Sequence, residues 1–538
     1  MAPPAAVVEP ADTGPLNPPG RHPATAAPAT LILLIVLSAF GAIIGTQLIL
    51  QLGVTPNTAI IGALVAMLLA RIPLGLFARY RSIHVQNLAQ SAISAATFGA
   101  ANSLLLPIGV PFLLGRPDLI MPMLIGAALS MLLDGYMLYR LFDTRIFPAA
   151  AAWPPGIAAA EAIKAGDAGG RRGLLLVAGI VVGIAGSWLK IPMSAFGVAF
   201  IGNVWALTMF GIGLLIRGYA MPVAGIDIAK LYVPHGMMIG AGLVALVQVG
   251  LLIARGGTTS AGGASDASMR RGLGLGTIGY VAIAIVIALL GGMTGELSPG
   301  MLVAFVIYAA FAAFVHELIV GISAMHAGWF PAFAVALITL IVGILLGFPP
   351  VALALLVGFA ASTGPAFADM GYDLRAGYLL RGEGRDPAFE IDGRRQQLYA
   401  AMLAFLIAIP TVYFAHPGYF AQGLVPPVDK VYIATIKAGA TAQVAMAMLI
   451  WAIPGAVIQL LGGPTRQLGI LLATGLLIPN PLAGWAVLVG IAIRVAVLKW
   501  KGEDVTADMQ VLAAGFIGGD ALYGFGDSIA RSMSLPAK

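Results

Sequence analysis

An all-α protein that crosses the membrane about sixteen times, in two duplicated halves, is the fold class this sequence predicts. Three observations carry that reading: an apolar composition, apolar runs that tile the chain, and a segment that occurs twice. The 538-residue chain is 59% hydrophobic and only 10% charged, with a mean hydropathy of +0.95; a soluble globular domain is roughly 25% charged. A helix needs about 20 apolar residues to cross the hydrocarbon core, and such segments must satisfy their backbone groups internally, as helices do. The repeat lies in Pro154 to Ile163-Lys164-Ala165-Gly166, which returns 273 residues later as Pro427 to Ile436-Lys437-Ala438-Gly439. Asn203, Gly213, Ile216 and Arg217 return with the same spacing 277 residues later, as Asn480, Gly490, Ile493 and Arg494. Internal duplication around a central site is a common construction among secondary transporters.

The elements follow in order. Residues 1–30, rich in Pro and Ala, form a disordered tail. They lack the charged start and short apolar core of a signal peptide, and Leu31 to Leu52 is long enough to span. Spans are expected at 31–52, 57–77, 85–114, 118–141, 173–190, 193–216, 234–254, 274–292, 299–320, 328–347, 350–370, 397–415, 438–462, 467–479, 482–498 and 509–530. Basic residues cluster between spans, for example Arg140/Arg145/Arg171/Arg172 and Arg381/Arg385/Arg394/Arg395. The positive-inside bias puts these loops and both termini in the cytoplasm, with the chain in the plasma (inner) membrane. The Gly- and Ser-rich stretch 256–273 reads as a linker between an N-terminal repeat, 31–255, and a C-terminal repeat, 274–538. Three spans are interrupted, by Pro107 and Pro111, by Gly364-Pro365, and by Pro479-Asn480-Pro481. Proline removes a helix donor, and such breaks survive in lipid where they are buried or line a polar cavity.

A charge at the bilayer centre costs about 2.5–3.5 kcal/mol on insertion scales, so each polar residue inside a span needs a reason. Asn87 and Gln90 open the third span, Asp369 and Asp373 flank Gly371-Tyr372, and Asn203 and Asn480 are related by the repeat; these six are the candidate substrate-binding residues. Asp520, within Gly515-Phe-Ile-Gly-Gly-Asp520, and the adjacent His316 and Glu317 are the candidates to carry a coupling proton. Asp134 is expected to pair with Arg140, and Lys164 and Lys437 to reach the cytoplasmic interface. Enzymatic function is not expected: Cys is absent, and there is no Ser–Lys pair and no His cluster of metal-ligand spacing. No metal, no cofactor other than a coupling H+, and no nucleic-acid partner is expected; the net charge of +6 is spread over loops. No P-loop is present to couple ATP.

Four stretches resemble the oligopeptide transporter superfamily, which includes the yellow stripe-like metal-chelate transporters. Phe147-Pro148 through Trp153-Pro-Pro-Gly156-Ile-Ala-Ala-Ala-Glu161 is similar to its P-x-G-x-A-x-A-E loop. Asp373-Leu-Arg-Ala-Gly-Tyr378, followed by Arg394-Arg-Gln-Gln397, is similar to its D-L-K-T-G-Y and P-R-x-Q segment. Asn87-Leu-Ala-Gln90-Ser resembles its N-x-x-Q-T entry to the third span, and Gly515 to Asp520-Ala-Leu its G-L-I-G-G-E-x-L helix. The Asn-Pro-Gly and Lys-Ile-Pro-Pro-Arg motifs of the eukaryotic peptide branch are absent, and Asp520 stands in place of the usual Glu, so the resemblance is to a prokaryotic branch. It implies proton-driven symport of short peptides or peptide-like metal chelates, through a duplicated helical fold in contact with lipid and compatible with a homo-oligomer. The alternative is an uncoupled facilitator or channel for a small polar solute.

Overall fold

The computed structural model describes residues 21–52, 59–70, 79–255, 266–328, 330–439 and 441–534, and among these the regular secondary structure is helical, with no strand. The first helices are α1 (Pro28–Leu52), α2 (Ala59–Ala70), α3 (Ile83–Phe98), α4 (Leu106–Leu114) and α5 (Ile120–Leu141). They are followed by α6 (Pro154–Ala168), α7 (Gly170–Trp188), α8 (Met193–Val198), α9 (Val204–Ala224) and α10 (Val233–Arg255). Next come α11 (Asp266–Leu290), α12 (Met293–Glu296), α13 (Pro299–Ala327), α14 (Ala332–Leu345), α15 (Pro350–Ser362), α16 (Pro365–Leu380) and α17 (Pro387–Ala421). The chain closes with α18 (Pro427–Ala438), α19 (Ala442–Arg466), α20 (Leu468–Leu477), α21 (Pro481–Lys501) and α22 (Thr506–Ser534). Proline opens α6, α13, α15, α16, α17, α18 and α21. Its missing N–H costs nothing in the first turn, and its fixed φ suits the helix.

Eleven of these segments are long and apolar enough to cross a membrane, and α14, α20 and part of α10 are shorter apolar helices. The chain is therefore a multi-pass, all-α membrane protein. The ends of the expected span at 57–77 lie outside the described residues, and its centre is α2. α11 begins at Asp266, inside the stretch expected as linker. Part of the expected tail is also ordered: Thr25 donates its amide to Gln396 at 2.8 Å, and His22 its amide to Asp392 at 3.2 Å.

The expected breaks take different forms. The third span does not stop at its prolines; a π-helical segment, Gly99–Leu105, joins α3 to α4 without a gap. α15 and α16 do part, at Gly364, whose φ of 95° suits glycine alone. α20 ends at Leu477 before Pro481 opens α21. The segment Pro350–Leu380 is the innermost, 94% of its most apolar window being buried.

Small residues set the helix spacing. α22 lies against α7, where a Cβ on Gly515 would stand 2.6 Å from the Gly179 Cα. α10 lies against α19 in the same manner: a Cβ on Gly455 would stand 2.7 Å from the Met237 Cα. Without a hydrophobic force between helices in lipid, such backbone approach supplies the packing.

Candidate functional site: buried acids and a cavity among helix ends

Asp369 and Asp373 are four residues apart on α16 and so share a face, and both are buried. That face meets α3. Ser94 Oγ donates to Asp369 Oδ1 at 2.5 Å, Gln90 Nε2 donates to Asp373 Oδ1, and Asn87 Nδ2 donates to Gln90 Oε1 at 2.8 Å. Four of the six expected binding residues thus come together. α17 extends the network: Gln397 Nε2 donates to the Asp373 carbonyl at 2.6 Å, and Arg381 Nη1 to Gln397 Oε1 at 2.7 Å. Arg381 pairs with Glu390 at 2.8 Å, and Arg394 bridges Glu390 and Asp143 at 2.6 and 2.9 Å. The second oxygens of Asp369 and Asp373, and Asn87 Oδ1, are buried without a protein partner. Each is an acceptor free for a proton, water or cargo group.

The adjacent pair on α13 separates. His316 bonds Thr363 Oγ1 and the Ala332 carbonyl, both at 2.8 Å. Glu317 turns the other way, to Tyr280 on α11, whose hydroxyl also lies 2.7 Å from Asp134 Oδ1 on α5. Asp134 Oδ2 accepts from the Gly364 amide at 2.9 Å. The expected partner of Asp134, Arg140, is not used: α11 packs on α5 and brings a phenol that sequence proximity could not suggest.

Two of the remaining three candidates are helix caps, and the third ties helices together. Asn203 accepts from Trp205 N and Ala206 N and opens α9; Asn480 accepts from Ala483 N and opens α21. Asp520 accepts from Ser187 Oγ at 2.5 Å and Ser194 N at 3.0 Å, tying α22 to the α7–α8 corner. None of the three joins the network on α16.

A cavity of about 250 Å³ lies where several helix ends converge. Its polar lining is Arg145, Gln248, His326, Thr465 and Gln467. Asn203 stands beside it, donating Nδ2 to the Thr465 carbonyl at 3.2 Å and its amide to the His326 carbonyl at 3.2 Å. His326 Nε2 is buried without a partner. The loop between α5 and α6 links this cavity to α16: Ile146, Pro148 and Ala151 line the cavity, while Arg375 Nη1 donates to the Ala149 carbonyl at 2.7 Å. Trp153 in the same loop packs edge-on against Tyr372 of α16.

Sequence reasoning passed over Tyr280, Gln248 and Asp429. Asp429, in the first turn of α18, is buried against Gly109 with both carboxylate oxygens unpartnered. Its only signal was an acid within the repeated segment. Tyr280 carried none, since an aromatic in an apolar run is ordinarily packing.

The chain matches the family model described as OPT oligopeptide transporter protein over residues 28–271 and 272–530. No curated protein matches the chain at a significant level. With both halves of the sequence matched, the chain belongs to the OPT oligopeptide transporter family.

Proposed function

We propose that this member of the oligopeptide transporter family is a proton-coupled symporter of short peptides or peptide-like and metal-chelate solutes. It works in the plasma (inner) membrane with both termini cytoplasmic, and moves its cargo between two related halves, 31–255 and 274–538. One observation supports coupling most strongly: Asp134, Glu317, Asp369 and Asp373 are buried within membrane segments, and none of them forms an ion pair with another described residue. Carboxyl groups so placed are expensive as anions and inexpensive as acids. Gaining and losing a proton is the chemistry left to them.

The cavity at the helix ends supplies the cargo site. Arg145 offers a cation for a peptide carboxylate, and Gln248, Gln467 and Thr465 offer amide and hydroxyl groups that suit a peptide bond. The loop carrying Arg145 also touches α16 through Ala149 and Trp153, so cargo and acids share a mechanical connection.

Uptake into proteoliposomes of labelled tri- to pentapeptides, glutathione and iron–chelate complexes, with and without an inward proton gradient, tests this reading. Accumulation above equilibrium that collapses with the gradient is expected for one cargo class. Uptake that only equilibrates would replace symport with facilitated diffusion.

A further inference from the structure

Tyr280 Oη contacts two carboxyl groups, Asp134 Oδ1 at 2.7 Å and Glu317 Oε2. A phenol carries one proton and can donate to only one of them. The second contact is a hydrogen bond only if that carboxyl carries its own proton and donates it to the phenol oxygen. Hydrogen-bond counting therefore requires one proton on the carboxyl pair. We infer that Asp134, Tyr280 and Glu317 form a site holding a single shared proton, and that its position sets the hold on the α15–α16 break at Gly364.

The two carboxyls are not equivalent. Asp134 Oδ2 accepts from the Gly364 amide at 2.9 Å, at the N-terminus of α16, where the helix dipole favours an anion. Glu317 Oε1 is buried with no partner, which suits a neutral acid. In the resting arrangement Glu317 donates to Tyr280 and Tyr280 donates to an ionised Asp134. The proton can cross by two concerted hops. Glu317 gives its proton to Tyr280 Oη as the original Tyr280 proton passes to Asp134 Oδ1. Glu317 becomes the carboxylate, the phenol is unchanged, and Asp134 becomes the acid. A neutral Asp134 is a weaker acceptor for the Gly364 amide, so the crossing loosens the start of the helix that carries Asp369 and Asp373.

The titratable groups that meet here are Asp134 from α5, Tyr280 from α11 and Glu317 from α13, while the α15–α16 break offers only the Gly364 amide. His316 faces Thr363 and the Ala332 carbonyl instead. No arginine or lysine among the described residues pairs with either carboxylate.

The inference rests on the proton-coupled reading above, but its test does not need cargo. Infrared difference spectra of the full chain in lipid nanodiscs at neutral pH report the carbonyl stretch of a protonated carboxylic acid. Glu317→Gln and Asp134→Asn each supply a neutral amide that donates to Tyr280 and leaves the other carboxyl as the anion. Each single variant is expected to lose the same one band, and the double variant to lose no more. Tyr280→Phe, which keeps the ring beside Phe359, is expected to move that band. Survival of that band in either single variant, two bands lost one after the other, or indifference of that band to Tyr280→Phe would overturn the shared proton; bands of other buried acids, such as Asp369 and Asp373, are expected to stay unchanged in every variant. Uptake by the same variants separates the two readings. If the band is lost as expected but wild-type uptake ignores the gradient, coupling fails. If uptake follows the gradient while no band is lost, the site fails.

Discussion

Ser94 on α3 donates to Asp369 on α16 over 2.5 Å, and Gln90 one turn earlier donates to Asp373 one turn later. The two bonds run in register along the same pair of helices, so α3 and α16 are joined by a polar seam inside an apolar bundle. Asp369 and Asp373 each keep one oxygen unpartnered, which leaves the seam able to take a proton or a cargo donor without dismantling it.

Gln90 is the strut of this seam, bonding Asn87 on its own helix and Asp373 on α16. Gln90→Ala strands two buried polar groups, each at a cost of about 1–3 kcal/mol. A lowered melting temperature of the purified protein, together with weakened transport, is expected; an unchanged melting temperature would show that the seam adds no stability.

The α7–α22 contact depends on glycine. A side chain at Gly515 would meet the Gly179 backbone, so Gly515→Leu must push the helices apart and is expected to abolish the folded, monodisperse protein on size-exclusion chromatography. Gly418→Ala, an exposed position with nothing near its added methyl, is the control and should change stability by no more than about 0.5 kcal/mol.

His22 gives a pH prediction at the membrane edge. Burial, then the nearby Arg381 and His84, holds its imidazole well below the ordinary value. Free of α17 the same imidazole titrates near 6.5, so the undocked segment binds more protons below that pH. Docking of residues 21–27 is therefore complete above about pH 7 and is lost as pH falls below about 6.5. Hydrogen exchange in this segment should rise on acidification; His22→Phe should blunt the effect.

Arg145 is the cation of the cavity. Arg145→Gln should raise the half-saturation concentration of a cargo with a free carboxylate by roughly tenfold, about 1.4 kcal/mol, and leave a C-terminally amidated analogue little changed. Equal loss for both would remove the carboxylate contact.

What was legible in the sequence followed from local rules. Length and hydropathy marked most spans, and the cost of a charge inside a span singled out Asp369 and Asp373; that the two share a face toward α3 appears only in the structure. Asn203 and Asn480 each open the helix after a short apolar one; that they are caps and stand apart from the α16 seam depended on tertiary placement. Asp134 shows the limit most clearly. Arg140 is six residues away, yet its partner is Tyr280, 146 residues on. A helix pairing of that separation leaves no mark in composition or periodicity. The same holds for Glu317, whose sequence neighbour His316 faces a different set of helices.

The account turns on protons moving with cargo, and the most direct measurement is lumenal pH during uptake. Proteoliposomes carrying the full chain and an enclosed pH dye, with no imposed gradient, would receive the cargo that the uptake panel identifies. Acidification of the lumen upon cargo addition, absent in Glu317→Gln liposomes, is the predicted result. Cargo entering at full rate with no change in lumenal pH would contradict it.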